Sequence, residues 1–131
     1  MAALAKNAPR TRVGEGRRFR DPVAAATRIF SGALVGLNAT GFAIPAAPTA
    51  VRVRGVALAE ADNQLGAAGD GFVDTDRGPF LFANDGSINR TSIGDTVYVV
   101  DDNTVGADDT DTIPAGKCLD VTPEGVVVEV L

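Results

Sequence analysis

The chain has 131 residues and a formal net charge of -5, with no histidine, no tryptophan and one cysteine. That length suits one domain around one core, and the missing histidine removes the commonest general base at neutral pH and the commonest metal ligand. Ala and Val make up much of the hydrophobic 45%, beside six Phe and one Tyr, so a thin core is expected and self-association would bury more surface.

The charge is segregated along the chain. Residues 1–28 hold seven basic and two acidic side chains, a net of +5, whereas the remaining 103 residues hold five basic and fifteen acidic ones, a net of -10. The basic stretch is poor in large apolar residues and carries Pro9, Gly14, Gly16 and Pro22, which reads as an extended N-terminal arm over residues 1–22 in front of a single β domain over 23–131. "MAALAKNAPR" lacks the long apolar stretch of a leader peptide, and no run of about 18 apolar residues occurs, so a soluble chain without a membrane span is expected. Lys6, Arg10, Arg12, Arg17, Arg18, Phe19 and Arg20 are the candidate contact residues. Three readings compete for them: an arm that meets phosphate, an arm that folds over an acidic protein neighbour, and a solvated tail. The acidic body would repel a polyanion, which disfavours nucleic acid.

"DPVAAATRIF" fits a short helix with Asp21 as N-cap and Pro22 at the first helical position, or an extended edge. After Phe30 the pattern becomes apolar runs broken by Gly, Pro, Asn and Asp at intervals of roughly 8 to 12 residues, the mark of a sandwich or barrel. Strands are expected at 33–37, 41–45, 51–58, 72–82, 95–100, 117–121 and 125–131. Alternation in "VRVRG" places Val51 and Val53 on one face and Arg52 and Arg54 on the other; in the same way Val97 and Val99 oppose Tyr98 and Val100. "GVVVEVL" is apolar in both phases except at Glu129, as for a strand covered on both sides by barrel closure or a neighbouring subunit. "NATG", "NDGS" and "TPEG" supply turns.

Candidate chemistry is sparse. "LGAAGDG" (65–71) has the glycine density of a phosphate loop, but the stretch that follows reads as a strand instead of the helix such a loop needs. Asp101, Asp102, Asp108, Asp109 and Asp111 resemble a hard-cation site in composition, yet the stretch lacks the closing bidentate Glu of calcium loops. A solvated loop, free to meet a neighbouring chain, is the default. Cys118 lies in a strand-like stretch and reads as a buried small apolar side chain; alone, it cannot form an intrachain disulfide, which fits a reducing compartment. "NAT" (38–40) and "NRT" (89–91) match the glycosylation acceptor pattern and read as turns. No catalytic residues, metal or cofactor are expected.

"DPVAAATRIFSGALVGLNATGFAIPA", "VRGVALAEADNQLGAAGDGFVDTDRGPFLFAND", "GDTVYVVDDNTV" and "AGKCLDVTPEGVVVEVL", in that order over about residues 21–131, resemble the capsid cement, or head decoration, proteins of tailed bacteriophages and prophages. The chain departs from the family's pattern at Val127, where an aromatic is common, and the segment before Asp21 is not covered. The resemblance implies a compact, mainly β barrel-like or sandwich-like domain that binds the major capsid protein on the outside of the assembled head. It also implies a non-catalytic role bracing the shell, made in the host cytoplasm and held in the virion, with self-association as a trimer at local three-fold positions. The alternative from another class is a small arm-bearing barrel that binds nucleic acid.

Overall fold

The first part of the chain builds an open sheet with a two-stranded ribbon beside it, and the second part a closed barrel. The computed structural model describes residues 3, 5–7, 9, 10 and 16–130. The first half forms β1 (Arg18–Pro22), β2 (Thr27–Ile29), β3 (Leu34–Leu37), β4 (Ala43–Pro45), β5 (Arg52–Ala57), β6 (Ala61–Asn63) and β7 (Phe72–Asp76). Five of these make a sheet in the order β1-β7-β5-β3-β4, and β2 pairs with β6 beside it. The second half forms β8 (Gly78–Asn84), a 3-10 turn (Arg90–Ser92), β9 (Thr96–Val99), β10 (Thr104–Gly106), β11 (Pro114–Thr122) and β12 (Gly125–Val130). These strands close into a barrel, β10-β8-β12-β11-β9. β10 shuts it by running parallel to β8 and antiparallel to β9.

The fold is therefore mainly β with a closed barrel, as the turn spacing implies, and its elements differ from the sequence reading in specific places. The run 72–82 is two strands in two sheets, parted at Arg77 and Gly78. Gly78 has φ 125°, a value that side chains oppose, and the chain turns there from one sheet into the other. The helix considered after Asp21 does not form: Arg18–Pro22 is strand and Thr27–Ile29 is strand, because both find ladder partners, in β7 and β6. The extended segment expected to run to Pro22 thus enters the sheet from Arg18. Val51 lies outside β5 and is 52% exposed while Val53 is buried. Val97 and Val99 point inward and Val100 is exposed, as the alternation requires.

The halves share a core. Leu34, Val53 and Val56, from β3 and β5, pack with Phe82 and the barrel valines 97, 99, 105, 126, 128 and 130. The opposite faces of the same two strands give Val35 and Ala57 to a smaller cluster with Val23, Ile29, Ala33, Ala43, Ala61 and Val73. Each fully buried valine contributes about 1.5 kcal/mol or more, so the barrel side holds most of the apolar stabilisation. β12 lies between β8 and β11; its inward Val126, Val128 and Val130 are fully buried, whereas Val127 and Glu129 on the outer wall are only half-buried. Cover from barrel closure is thus complete on one face of this strand. Gly125, at φ 148°, brings the backbone so close to the Phe82 carbonyl oxygen that a Cβ would collide with it. Cys118 is fully buried in the barrel core, and that burial pushes its thiol above the usual range.

Candidate functional site

β1 and β7 carry opposite charges at matching intervals. Arg18 and Arg20 alternate with Phe19 and Asp21, and Asp74 and Asp76 alternate with Val73 and Thr75; the register sets Arg18 against Asp76 and Arg20 against Asp74. An Arg20 guanidinium nitrogen lies 3.6 Å from Asp74 Oδ2, and one of Arg17 lies 3.6 Å from Asp76 Oδ2. Opposed charges across strands contribute roughly 0.2–1 kcal/mol each, so the two pairs set the register more than they add stability.

The other face of β1 is held by a stack. The Phe19 ring centroid is 3.8 Å from the Arg54 guanidinium carbon and 4.9 Å from that of Arg77. Arg54 donates from Nε to Asp21 Oδ2 at 2.7 Å and from Nη2 to Asp21 Oδ1 at 3.3 Å. Arg77 donates from Nε to the Arg54 carbonyl oxygen at 3.0 Å. Each guanidinium over a ring is worth about 0.5–1 kcal/mol at exposed sites and more where water is excluded, and forked pairing of Arg54 with Asp21 fixes direction. Arg20 also lies over Phe72, 5.1 Å from its centroid.

Of the residues expected to form the contact surface, Arg17, Arg18, Phe19 and Arg20 thus come together on or beside one anchored strand. Lys6 and Arg10 are exposed ahead of it, and Arg12 lies outside the described residues. Gly16 and Arg17 line a groove of about 400 Å³ with Arg77, Gly78, Pro79 and Glu129, where the basic segment passes between the two halves.

The aspartates are not one cluster, because β10 runs through the middle of them. Asp101 and Asp102 form the tip of the β9–β10 hairpin, and Asp108, Asp109 and Asp111 lie on the β10–β11 connection. Asp101 accepts from the Asn103 backbone N–H at 2.8 Å, and Asp108 from that of Thr110 at 2.9 Å. The backbone N–H of Thr110, and then its side chain, hold the Asp108 carboxyl below the usual carboxylate range. Partial burial, and then the Asp101 charge, push Asp102 up. The Asp102 carbonyl accepts from the Leu34 N–H at 2.8 Å and so ties the hairpin to the sheet. Among the described residues, no three or more His, Cys, Asp or Glu side chains gather where they could hold a metal ion.

"LGAAGDG" is the connection into β7, with no helix after it. Asn38 and Asn89 are turn residues, each accepting from the backbone N–H two positions on. Asp21, Arg54, Asp74, Asp76 and Arg77 were absent from the sequence candidates. The signal for most of them was "RFRD" beside "FVDTD", two period-two patterns of opposite charge. Comparison with known protein families, with characterised proteins and with solved structures returns no match. No helix among the described residues is long and apolar enough to cross a membrane.

Proposed function

We propose that the protein is a capsid decoration (cement) protein of a tailed bacteriophage or prophage, a non-catalytic virion component that sits on the outside of the head and braces the shell through contacts with the major capsid protein. The observation that carries this reading is the mooring of β1. The basic N-terminal segment continues into a strand held on one face by ion pairs to Asp74 and Asp76 and on the other by the Arg54–Phe19–Arg77 stack. A brace has to pass load from its contact segment to its body, and a strand bonded along its length does that better than a loose tail. The resemblance of residues 21–131 to cement proteins supports the same reading.

The test is a deletion of residues 2–15, which spares Arg17 and β1. The truncated protein is expected to stay folded and to bind virus-like particles at lower occupancy, because each exposed ion pair gives only about 0–1 kcal/mol and the segment acts through multiplicity. Full occupancy by the truncated protein on purified particles would overturn the segment's part in binding, and no binding by the intact protein would overturn the reading itself. The nucleic-acid alternative has less behind it, since residues 29–131 carry a net charge of -10 that would repel a polyanion. A slope near zero in log affinity against log salt would remove it.

A further inference from the structure

Backbone hydrogen bonds line up a row of side chains that begins basic, turns apolar and ends acidic. Arg20 is opposite Asp74 in the ladder. The Leu58 N–H donates to the Asp74 carbonyl at 2.9 Å, the Gly32 N–H to the Ala57 carbonyl at 2.9 Å, and the Leu34 N–H to the Asp102 carbonyl at 2.8 Å. The row thus runs from Arg18 and Arg20 past Leu58 and the Phe30–Gly32 turn to Asp102 and Asp101. At about 4.8 Å per neighbouring strand it is on the order of 20 Å long. Leu58 and Phe30, in its middle, are 44% and 57% exposed.

Two shallow grooves flank the middle. One, of about 300 Å³, is lined by Arg18, Phe19, Arg20, Leu58 and Asp74. The other, of about 390 Å³, is lined by Phe30, Ser31, Gly32, Ala33, Asp102 and Asn103. The first presents two guanidiniums against one carboxylate; the second presents the Asp102 carboxylate, and beside it the Arg28 guanidinium, itself paired with Glu60, lies 4.8 Å from the Phe30 ring centroid.

We propose that this row is the interface with a second copy of the chain, related by a two-fold axis through its apolar centre. Turning one copy by half a turn sets its Arg18 and Arg20 over the partner's Asp101 and Asp102, and the reverse contact forms at the same time. Leu58 then meets Phe30 of the second copy, Phe30 meets its Leu58, and both lose their exposure to water. A head-to-tail ring would also match plus with minus, but it would leave the apolar centre uncovered, so the charge order and the exposed pair together favour the closed two-fold over the three-fold implied by the resemblance. The partly buried Asp102, whose carboxyl is raised by burial and by Asp101, gains a countercharge in this arrangement. The proposal concerns the isolated chain and does not rest on the capsid reading.

The row is short for a stable interface, so the dimer is expected to be weak and salt-sensitive. Sedimentation equilibrium of the isolated protein, from on the order of 10 µM to 500 µM, is expected to show mass rising toward two chains. Arg18→Asp and Asp102→Arg are each expected to weaken dimerisation by about two- to thirtyfold, because a two-fold interface counts each substitution twice. The double variant Arg18→Asp with Asp102→Arg restores it, and Leu58→Ser weakens it independently of salt. A single chain at every concentration, a mass of three chains, or a double variant as weak as the single ones would overturn the proposal. Circular dichroism establishes that each variant is folded. Should one not be, raising the salt on the unaltered protein gives the deciding contrast: weaker association supports the proposal, and unchanged association overturns it.

Discussion

The barrel and the sheet that precedes it solve the same problem, an exposed strand edge, by different means. In the barrel, residues 78–130, every strand has two neighbours and the interior is filled by valines with Phe82, Ile88, Ala115 and Cys118. In the sheet, four of the eight residues in its own cluster are alanine, and the edge strand β1 is held by side chains as well as by its ladder with β7. Charge divides along the same line: residues 1–77 carry ten basic and seven acidic side chains, a net of +3, and residues 78–131 carry two and ten, a net of -8. Ladder closure frees the barrel's outer surface and loops to be acidic without loss of cohesion, whereas the sheet needs its arginines for its own edge. Where backbone pairing is complete, side-chain charge is available for other work; where it is incomplete, charge becomes part of the fold.

That contrast can be attacked first at its strongest point. Gly125→Ala pushes a Cβ into the Phe82 carbonyl at a backbone angle that side chains resist, and is expected to cost about 3 kcal/mol or more of stability in a urea melt. Because Leu34, Val53 and Val56 belong to the barrel-side core, the loss is expected to appear as one cooperative transition. Two separated transitions would mean that the halves are independent. A smaller effect, about 1–2 kcal/mol, is expected from Phe19→Ala, which removes the ring that Arg54 and Arg77 both approach. Amide exchange should then rise in Arg18–Asp21 and stay unchanged in β12; equal loss in both would show that β1 is not held locally.

Smallest is Asp102→Asn, expected to stabilise by less than about 0.5 kcal/mol at neutral pH, on the scale of a like-charge surface pair. The folded carboxyl sits above its ordinary value of 3.8, so the folded state binds the proton more tightly than the unfolded chain does. Its favourable contribution is complete below that ordinary value and is lost as pH rises through the raised one. The advantage of Asn over Asp in thermal melts should therefore shrink as the pH falls toward 3.8. An advantage that grew on acidification would reverse the assignment.

The sequence exposed the barrel well because its strands are short, apolar and bounded by turn residues; Val97 and Val99 are placed by period, and "GVVVEV" by its nearly unbroken apolar run. β6 and β10 escaped because three residues are too few to show a period, and β10 is embedded in aspartates that read as loop; β2 falls in "DPVAAATRIF", where the sequence left an extended edge open beside the helix. β1 escaped for a different reason: glycine, proline and arginine dominate residues 9–22, and composition over that window outweighed the two-residue alternation in "RFRD". Its partner "FVDTD" held the complementary pattern some fifty residues later, and only pairing in space makes the two informative together. The stacking of Arg54 and Arg77 on Phe19 has no one-dimensional trace, since it draws on three strands or strand ends that the chain visits separately.

The passage at Arg77 and Gly78 divides the molecule at a single point, with the whole sheet before it and the whole barrel after it. Synthesis on the ribosome therefore delivers the sheet first, with Leu34, Ala46, Val53 and Val56 facing a barrel that has not yet been made. Those apolar residues stay uncovered until the barrel strands that pack on them have emerged, so the shared core is completed only when β12 joins β8 and β11.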